Sequence, residues 1–338
     1  MSTIPPNTAD TVPSALSDTG GHFVDVSALF EPFGIKQKIE ALFTPVTYEF
    51  APIPENNWLY AAFKGFQALK ESAPLKWVHT FASVGTGPGL DGIGASHIFK
   101  PAHVVLTDKK KQVLPIALCN IHAHLQNERI KVTVAKGNLC APLRDKGIYA
   151  DLIYANLPLL PDPEGNDEGM RSSTFVPTEE LQDVPEIYQH SRLAMIYLFL
   201  NDARSSLNEG GSVAINLGGR VPVALIQQLF RECGYQYREL FSMLKVQSQP
   251  YDVLPEFSKA ELETGITFDF YRMNDETKHS LTAYSQLYGV FGKTMNAHQM
   301  KEDALKEFRV SATDALKLHQ AGETIGHVVQ MIQGLPLS

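Results

Sequence analysis

The stretch Trp77–Gly92 runs from an apolar strand pattern into Gly85-Thr86-Gly87-Pro88-Gly89, then into the helical pattern opened by Leu90-Asp91-Gly92. Glycine reaches backbone conformations closed to other residues and carries no side chain to keep a ligand away. The first turn of a helix presents N–H groups with no partner inside the helix. A chain with this unit therefore brings a strand end, a bare backbone cradle and a helix N-terminus to one point, which is a place to bind a ligand.

From this unit onward, short apolar runs alternate with helical periodicity, the pattern of a parallel sheet covered by helices. It predicts strands over Trp77–Val84, His103–Thr107, Ile130–Ala135, Asp151–Asn156 and Ser212–Leu217. Helices are predicted over Leu90–Phe99, Lys110–Leu125, Ile187–Leu207 and Val221–Cys233. Tyr237–Val246 and Gly265–Tyr271 read as two more strands, a terminal antiparallel pair joined by a Pro-containing insertion around Pro250–Glu263. The expected organisation is a disordered tail over 1–20, rich in Pro, Ser, Thr and Gly, and an N-terminal cap of two or more helices over 21–75. An α/β Rossmann-like domain spans 76–275, with a mostly parallel seven-stranded sheet, and a helical segment spans 276–338.

A formal net charge of −8 over 338 residues argues against phosphate tracking as the source of binding energy, so nucleic acid is not the expected partner. The three cysteines have no CxxC spacing, which argues against a disulfide framework or a zinc site and suits a reducing cytoplasm. The histidines, His122 and His124 among them, read as helix-face residues, so no metal is expected. No leader pattern and no apolar run of spanning length is seen, so a cytoplasmic protein with no membrane partner is expected. A homodimer is compatible with all of this.

The glycines fit two cofactors. Gly85, Gly87 and Gly89 match the G-x-G-x-G of methyltransferases, whereas Gly87, Gly89 and Gly92 match the G-x-G-x-x-G of dinucleotide enzymes. Asp108, at the end of the second strand, is placed to accept hydrogen bonds from two ribose hydroxyls of either, and alternatively caps the next helix. The fourth strand separates the two. Asp151–Asn156 continues into Leu157-Pro158-Leu159, which resembles the Asn-Pro-Pro-Tyr motif of class I methyltransferases that modify amides and amines. The likeness covers the Asn and the proline turn but not the aromatic wall, which is leucine here. Ser83 stands where such enzymes carry an acid before the glycines, and Asn138 stands for the common adenine-binding Asp. S-adenosylmethionine is the expected cofactor, bound by Gly85, Thr86, Gly87, Gly89, Asp108, Asn138, Leu139, Asn156 and Pro158.

Further segments resemble the methyltransferase portion of methionine S-methyltransferases, in their compact bacterial form. They are Pro54–Tyr60, Ala155–Pro158, Asn216–Arg220, Leu229–Tyr235 and, more weakly, Leu281–Tyr284 to His298. The resemblance implies methyl transfer to the thioether sulfur of free L-methionine, giving S-methyl-L-methionine and S-adenosylhomocysteine, a step that in some bacteria begins dimethylsulfoniopropionate synthesis.

A thioether has no proton to lose, so that chemistry asks for alignment and desolvation rather than a general base. Asn156 and Tyr188 are the candidate catalytic residues. Arg220, after Gly218-Gly219 at a strand carboxyl end, is the candidate for a substrate carboxylate. Trp58, Tyr60 and Tyr188 are candidate aromatic walls for a sulfonium, each with the alternative of an ordinary core residue. Residues 157–186, with five prolines, suggest a lid. The competing readings are an amide or amine N-methyltransferase, a non-catalytic cofactor-binding module and a nicotinamide oxidoreductase.

Overall fold

The computed structural model describes residues 20–47, 53, 56–72, 78–125, 127–162, 174–290 and 293–337. Residues 1–19 of the expected tail, Trp77 and the middle of the expected lid, 163–173, lie outside them.

Five strands run parallel with β3 (Thr80–Val84) at their centre: β4 (His103–Asp108) on one side and β6 (Ala150–Ala155) on the other, then β5 (Lys131–Lys136) beyond β4 and β9 (Leu207–Gly218) beyond β6. Every residue of β3 is buried, as expected of a strand covered by helices on both faces. Beyond β9 the direction reverses. β13 (Ile325–Pro336) lies antiparallel to β9 and, on its other side, antiparallel to β10 (Tyr235–Val246). These seven strands form the Rossmann-like, mostly parallel sheet that was expected. β11 (Phe270–Arg272) and β12 (Arg309–Val310) extend it from the start of β13. Outside the sheet, β7 (Leu160–Asp162) and β8 (Phe175–Pro177) form a short parallel pair at the two ends of the expected lid.

Two expectations need correction. The segment from 276 does begin with helix, Asp275–Val290, but it ends in β13, which supplies an inner strand of the sheet. The partner of β10 is therefore β13, not the strand near Tyr271, and the Pro-containing insertion between them is a helix, Pro250–Thr264. The N-terminal cap is also mixed. β1 (His22–Asp25) pairs antiparallel with β2 (Glu40–Phe43), and the long helix is Trp58–Glu71.

That helix docks on the sheet through Phe63 and Phe66, both fully buried. It approaches the helix Leu90–Ile98 so closely that a Cβ on Gly94 would stand 2.1 Å from the Phe63 ring. The N-terminal segment is thus bound into the same core that carries the glycine turn. No helix among the described residues is long and apolar enough to cross a membrane.

Candidate functional site

The carboxyl ends of β3, β4, β6 and β9 open onto one cavity of about 600 Å³, the position where open α/β sheets bind ligands. Its volume is that of a small-molecule site.

At one end lies the glycine turn. Gly85, Gly87 and Gly89 all have positive φ, at 71°, 53° and 82°, which explains glycine at each. The turn is pinned to β4 by hydrogen bonds from the Gly85 and Thr86 amides to the Thr107 carbonyl, 2.9 and 3.0 Å. Asp108 sits half-buried beside it, accepting from the Gly87 amide at 3.0 Å and the Lys110 amide at 2.8 Å. The carboxylate thus fixes the turn as well as facing the cavity, and the helix it precedes opens only at Val113. Gly85, Thr86, Gly87, Asp108, Asn138, Leu139, Asn156 and Pro158 all line the cavity. Gly89 does not. It starts the helix Leu90–Ile98, and a Cβ there would meet the Ala117 backbone at 3.0 Å, so its part is packing.

Asp91, a cavity residue that the sequence did not single out, fills the place left by Ser83. Its carboxylate accepts hydrogen bonds from Ser83 Oγ and from Thr86 Oγ1, the latter at 2.9 Å. Burial pushes its pKa up to about 6, against the pull of those hydrogen bonds. A buried acid thus stands beside the glycine turn, on the first turn of the helix after it.

The middle of the cavity is walled by Leu157, Leu159, Leu160 and Met195, with Asn156 and Tyr154 among them. At the far end stand Trp58, Asn216, Arg220, Lys245, Gln247 and Ser248. Arg220 is 4% exposed. Its Nη2 donates to Gln247 Oε1 at 2.7 Å, and its guanidinium lies 4.9 Å from the Phe257 ring centre and 5.6 Å from that of Phe270. Among the described residues it makes no salt bridge and its Nε has no hydrogen-bond partner. Burial lowers its pKa to about 9.

Two candidates are displaced. Tyr188 is fully buried in the core, stacked on Tyr197 at 5.5 Å, with its hydroxyl on Glu232. It does not line the cavity and serves packing rather than catalysis or substrate binding. Tyr60 likewise faces away, edge-on to Phe33 at 5.6 Å and to Phe241 at 6.3 Å. Trp58 remains, lining the cavity beside Lys245 and His327. Described parts of the expected lid, Thr174–Pro177 and Glu180, also line the cavity.

His124 is buried and bonds the Glu40 carbonyl at 2.8 Å, and His122 is exposed. No cluster with metal-binding composition occurs among the described residues.

No protein-family model matches the chain, and no curated protein matches it in sequence. Among solved structures it is similar to a ribosomal protein L11 methylase from Lactobacillus delbrueckii subsp. bulgaricus, with 21% identity and a TM-score of 0.35 over 54% of this chain and 72% of that one. It is similar to a precorrin-6y C5,15-methyltransferase from Geobacter metallireducens, with 9% identity and a TM-score of 0.38 over 86% and 94%. A third is a Haemonchus contortus N-methyltransferase in complex with S-adenosylhomocysteine, with 14% identity and a TM-score of 0.34 over 81% and 52%. At these identities and scores, the chemistry of this chain has to come from its own residues.

Proposed function

We propose that the chain is an S-adenosylmethionine-dependent methyltransferase whose acceptor is the thioether sulfur of a free amino acid, L-methionine. The observation that carries this reading is the continuity of the cavity. One space joins the glycine turn and Asp108, by way of Asn156 and a leucine wall, to a buried arginine with no acidic partner among the described residues.

The residues at the glycine end fit the cofactor. Side-chain-free backbone at Gly85 and Gly87 would leave room for the amino-acid portion, Asp108 would offer carboxylate oxygens to ribose hydroxyls, and Asn138 and Leu139 would hold the base. The antiparallel β13, inserted between β9 and β10, has no counterpart in the strand order of dinucleotide-binding sheets, which favours this cofactor over a nicotinamide. S-adenosylmethionine would supply an electrophilic methyl group there.

The acceptor end asks for little beyond alignment. A thioether lone pair forms the new S–C bond directly, and no proton has to leave, so no base is needed beside it. Leu157, Leu159 and Met195 give the sulfur a dry wall, which removes water that would otherwise compete for the methyl group. Arg220 would take the amino-acid carboxylate, for which a guanidinium fork is suited. The leucine at 159, in place of the aromatic residue of amide and amine methyltransferases, favours sulfur over nitrogen. Titration calorimetry with S-adenosylhomocysteine tests the cofactor, and a methyl-transfer screen over free amino acids tests the acceptor. Failure of wild-type protein to bind S-adenosylhomocysteine would end this reading.

A further inference from the structure

We propose that Lys245 is a second substrate-binding cation, forming with Arg220 a cradle that confines the acceptor to molecules bearing an anionic group of carboxylate size. The nature of the reaction at the other end of the cavity rests on the methyl-transfer reading. The cradle stands on its own geometry.

Lys245 is 1% exposed and lines the same end of the cavity as Arg220. Both belong to one hydrogen-bonded chain. Arg220 Nη2 donates to Gln247 Oε1 at 2.7 Å, Gln247 Nε2 donates to the Ser248 carbonyl at 2.6 Å, and Lys245 Nζ donates to Ser248 Oγ at 2.6 Å and the Val246 carbonyl at 2.9 Å. An ammonium has three protons to donate and a guanidinium five, so each keeps donors for a ligand. Trp58 lies beneath the lysine, its ring centre 5.3 Å from Nζ.

No carboxylate among the described residues completes this set. Neither Arg220 nor Lys245 forms a salt bridge with any of them, and the nearby buried His327 has no hydrogen-bond partner there on either ring nitrogen. Elsewhere the chain treats a buried cation differently. Lys301, 2% exposed, is paired with Asp269 at 2.7 Å. Burying charge without an opposite charge is costly, and here burial and mutual repulsion push Lys245 down to about 7. Two such groups lining one cavity are stabilised when an anion enters between them. A neutral or cationic acceptor would leave them uncompensated.

The test uses the full chain with Lys245→Met, Lys245→Arg and Arg220→Met. S-adenosylhomocysteine affinity, measured by calorimetry, is expected to be unchanged in all three, which establishes that the cofactor end is intact. Lys245→Met is expected to raise the methionine KM by roughly tenfold or more, as when one partner of a buried charge pair is lost, with kcat little changed. Lys245→Arg should recover most of that loss, and methionine amide should react equally poorly with wild type and Lys245→Met. Acetate provides an arm independent of the reaction: it should raise the melting temperature of wild-type protein but not of Lys245→Met or Arg220→Met. An acetate effect that persists in Lys245→Met, or is missing from wild type, overturns the cradle. If S-adenosylhomocysteine or methionine fails to bind while the acetate result holds, the methyl-transfer reading falls and the cradle stands.

Discussion

The backbone carbonyl of Trp58 accepts a 2.6 Å hydrogen bond from the side-chain amide of Asn216, joining the first turn of the N-terminal helix to the end of β9. Through this bond the N-terminal segment holds an aromatic ring at the far end of the cavity. Asn216 is 2% exposed, so Asn216→Ala removes a buried hydrogen bond that this carbonyl accepts in addition to the helix's own. The loss of stability should be roughly 1–3 kcal/mol, read by urea denaturation, and acceptor KM should rise more than S-adenosylhomocysteine Kd. A change confined to the cofactor would show that the contact does not position the acceptor end.

Asp108 has two tasks, fixing the Gly87 amide and facing the cavity. Asp108→Ala removes both and should weaken S-adenosylhomocysteine binding by roughly 1.5–3 kcal/mol, the usual worth of hydrogen bonds to a charged group. Asp108→Asn, which keeps one acceptor oxygen, should fall between. Calorimetry reads both, and unchanged affinity in Asp108→Ala would remove this residue from the cofactor site.

The buried Asp91 gives the fold a pH signature. Its pKa rises from 3.8 unfolded to about 6 folded, so between those values the folded state holds more protons and stability falls as pH rises. A shift of this size corresponds to at most about 3 kcal/mol. Relative to wild type, Asp91→Asn should therefore gain stability as pH climbs through that window and hold the gain above it. Parallel stability curves for the two proteins across the window would contradict the raised pKa.

The parts of the fold that could be read from the chain are those whose burial shows locally. β3 and β4 are covered on both faces, so Val104–Leu106 appears as an unbroken apolar run and Phe81–Val84 as a run broken only by the small Ser83. β13 is buried from 325 to 334, yet Gly326, His327, Gln330, Gln333 and Gly334 interrupt its pattern. Gln333 is kept there by a bond to Ser212 Oγ at 3.1 Å, a partner no local window contains. Gly85, Gly87, Asp108 and Arg220 obey rules of short range, and each lines the cavity at a strand end. Lys245 lies in a strand of mixed character and gains its meaning only from Arg220 and Ser248 beside it. Tyr188 failed for the same reason, since its hydroxyl meets Glu232, which is 44 residues away.

If Tyr188 is a core residue, Tyr188→Phe should leave methyl-transfer kinetics and S-adenosylhomocysteine affinity as they are. It should cost about 1 kcal/mol of stability, the typical net worth of a hydrogen bond, because Glu232 is exposed and regains water. A large drop in kcat without loss of stability would return Tyr188 to the site.

Methyl transfer from S-adenosylmethionine to the sulfur of an anionic amino acid leaves a product that can be followed directly. The direct measurement incubates wild-type protein with S-adenosylmethionine deuterated in the methyl group and L-methionine, and tracks products by mass spectrometry. The expected product is S-methyl-L-methionine carrying the label, formed together with S-adenosylhomocysteine and abolished in a Lys245→Met, Arg220→Met double variant that still binds S-adenosylhomocysteine. Labelled product formed equally by the double variant would remove Arg220 and Lys245 from the acceptor site, and no labelled methionine product from a wild-type protein saturated with both molecules would contradict methyl transfer to this sulfur.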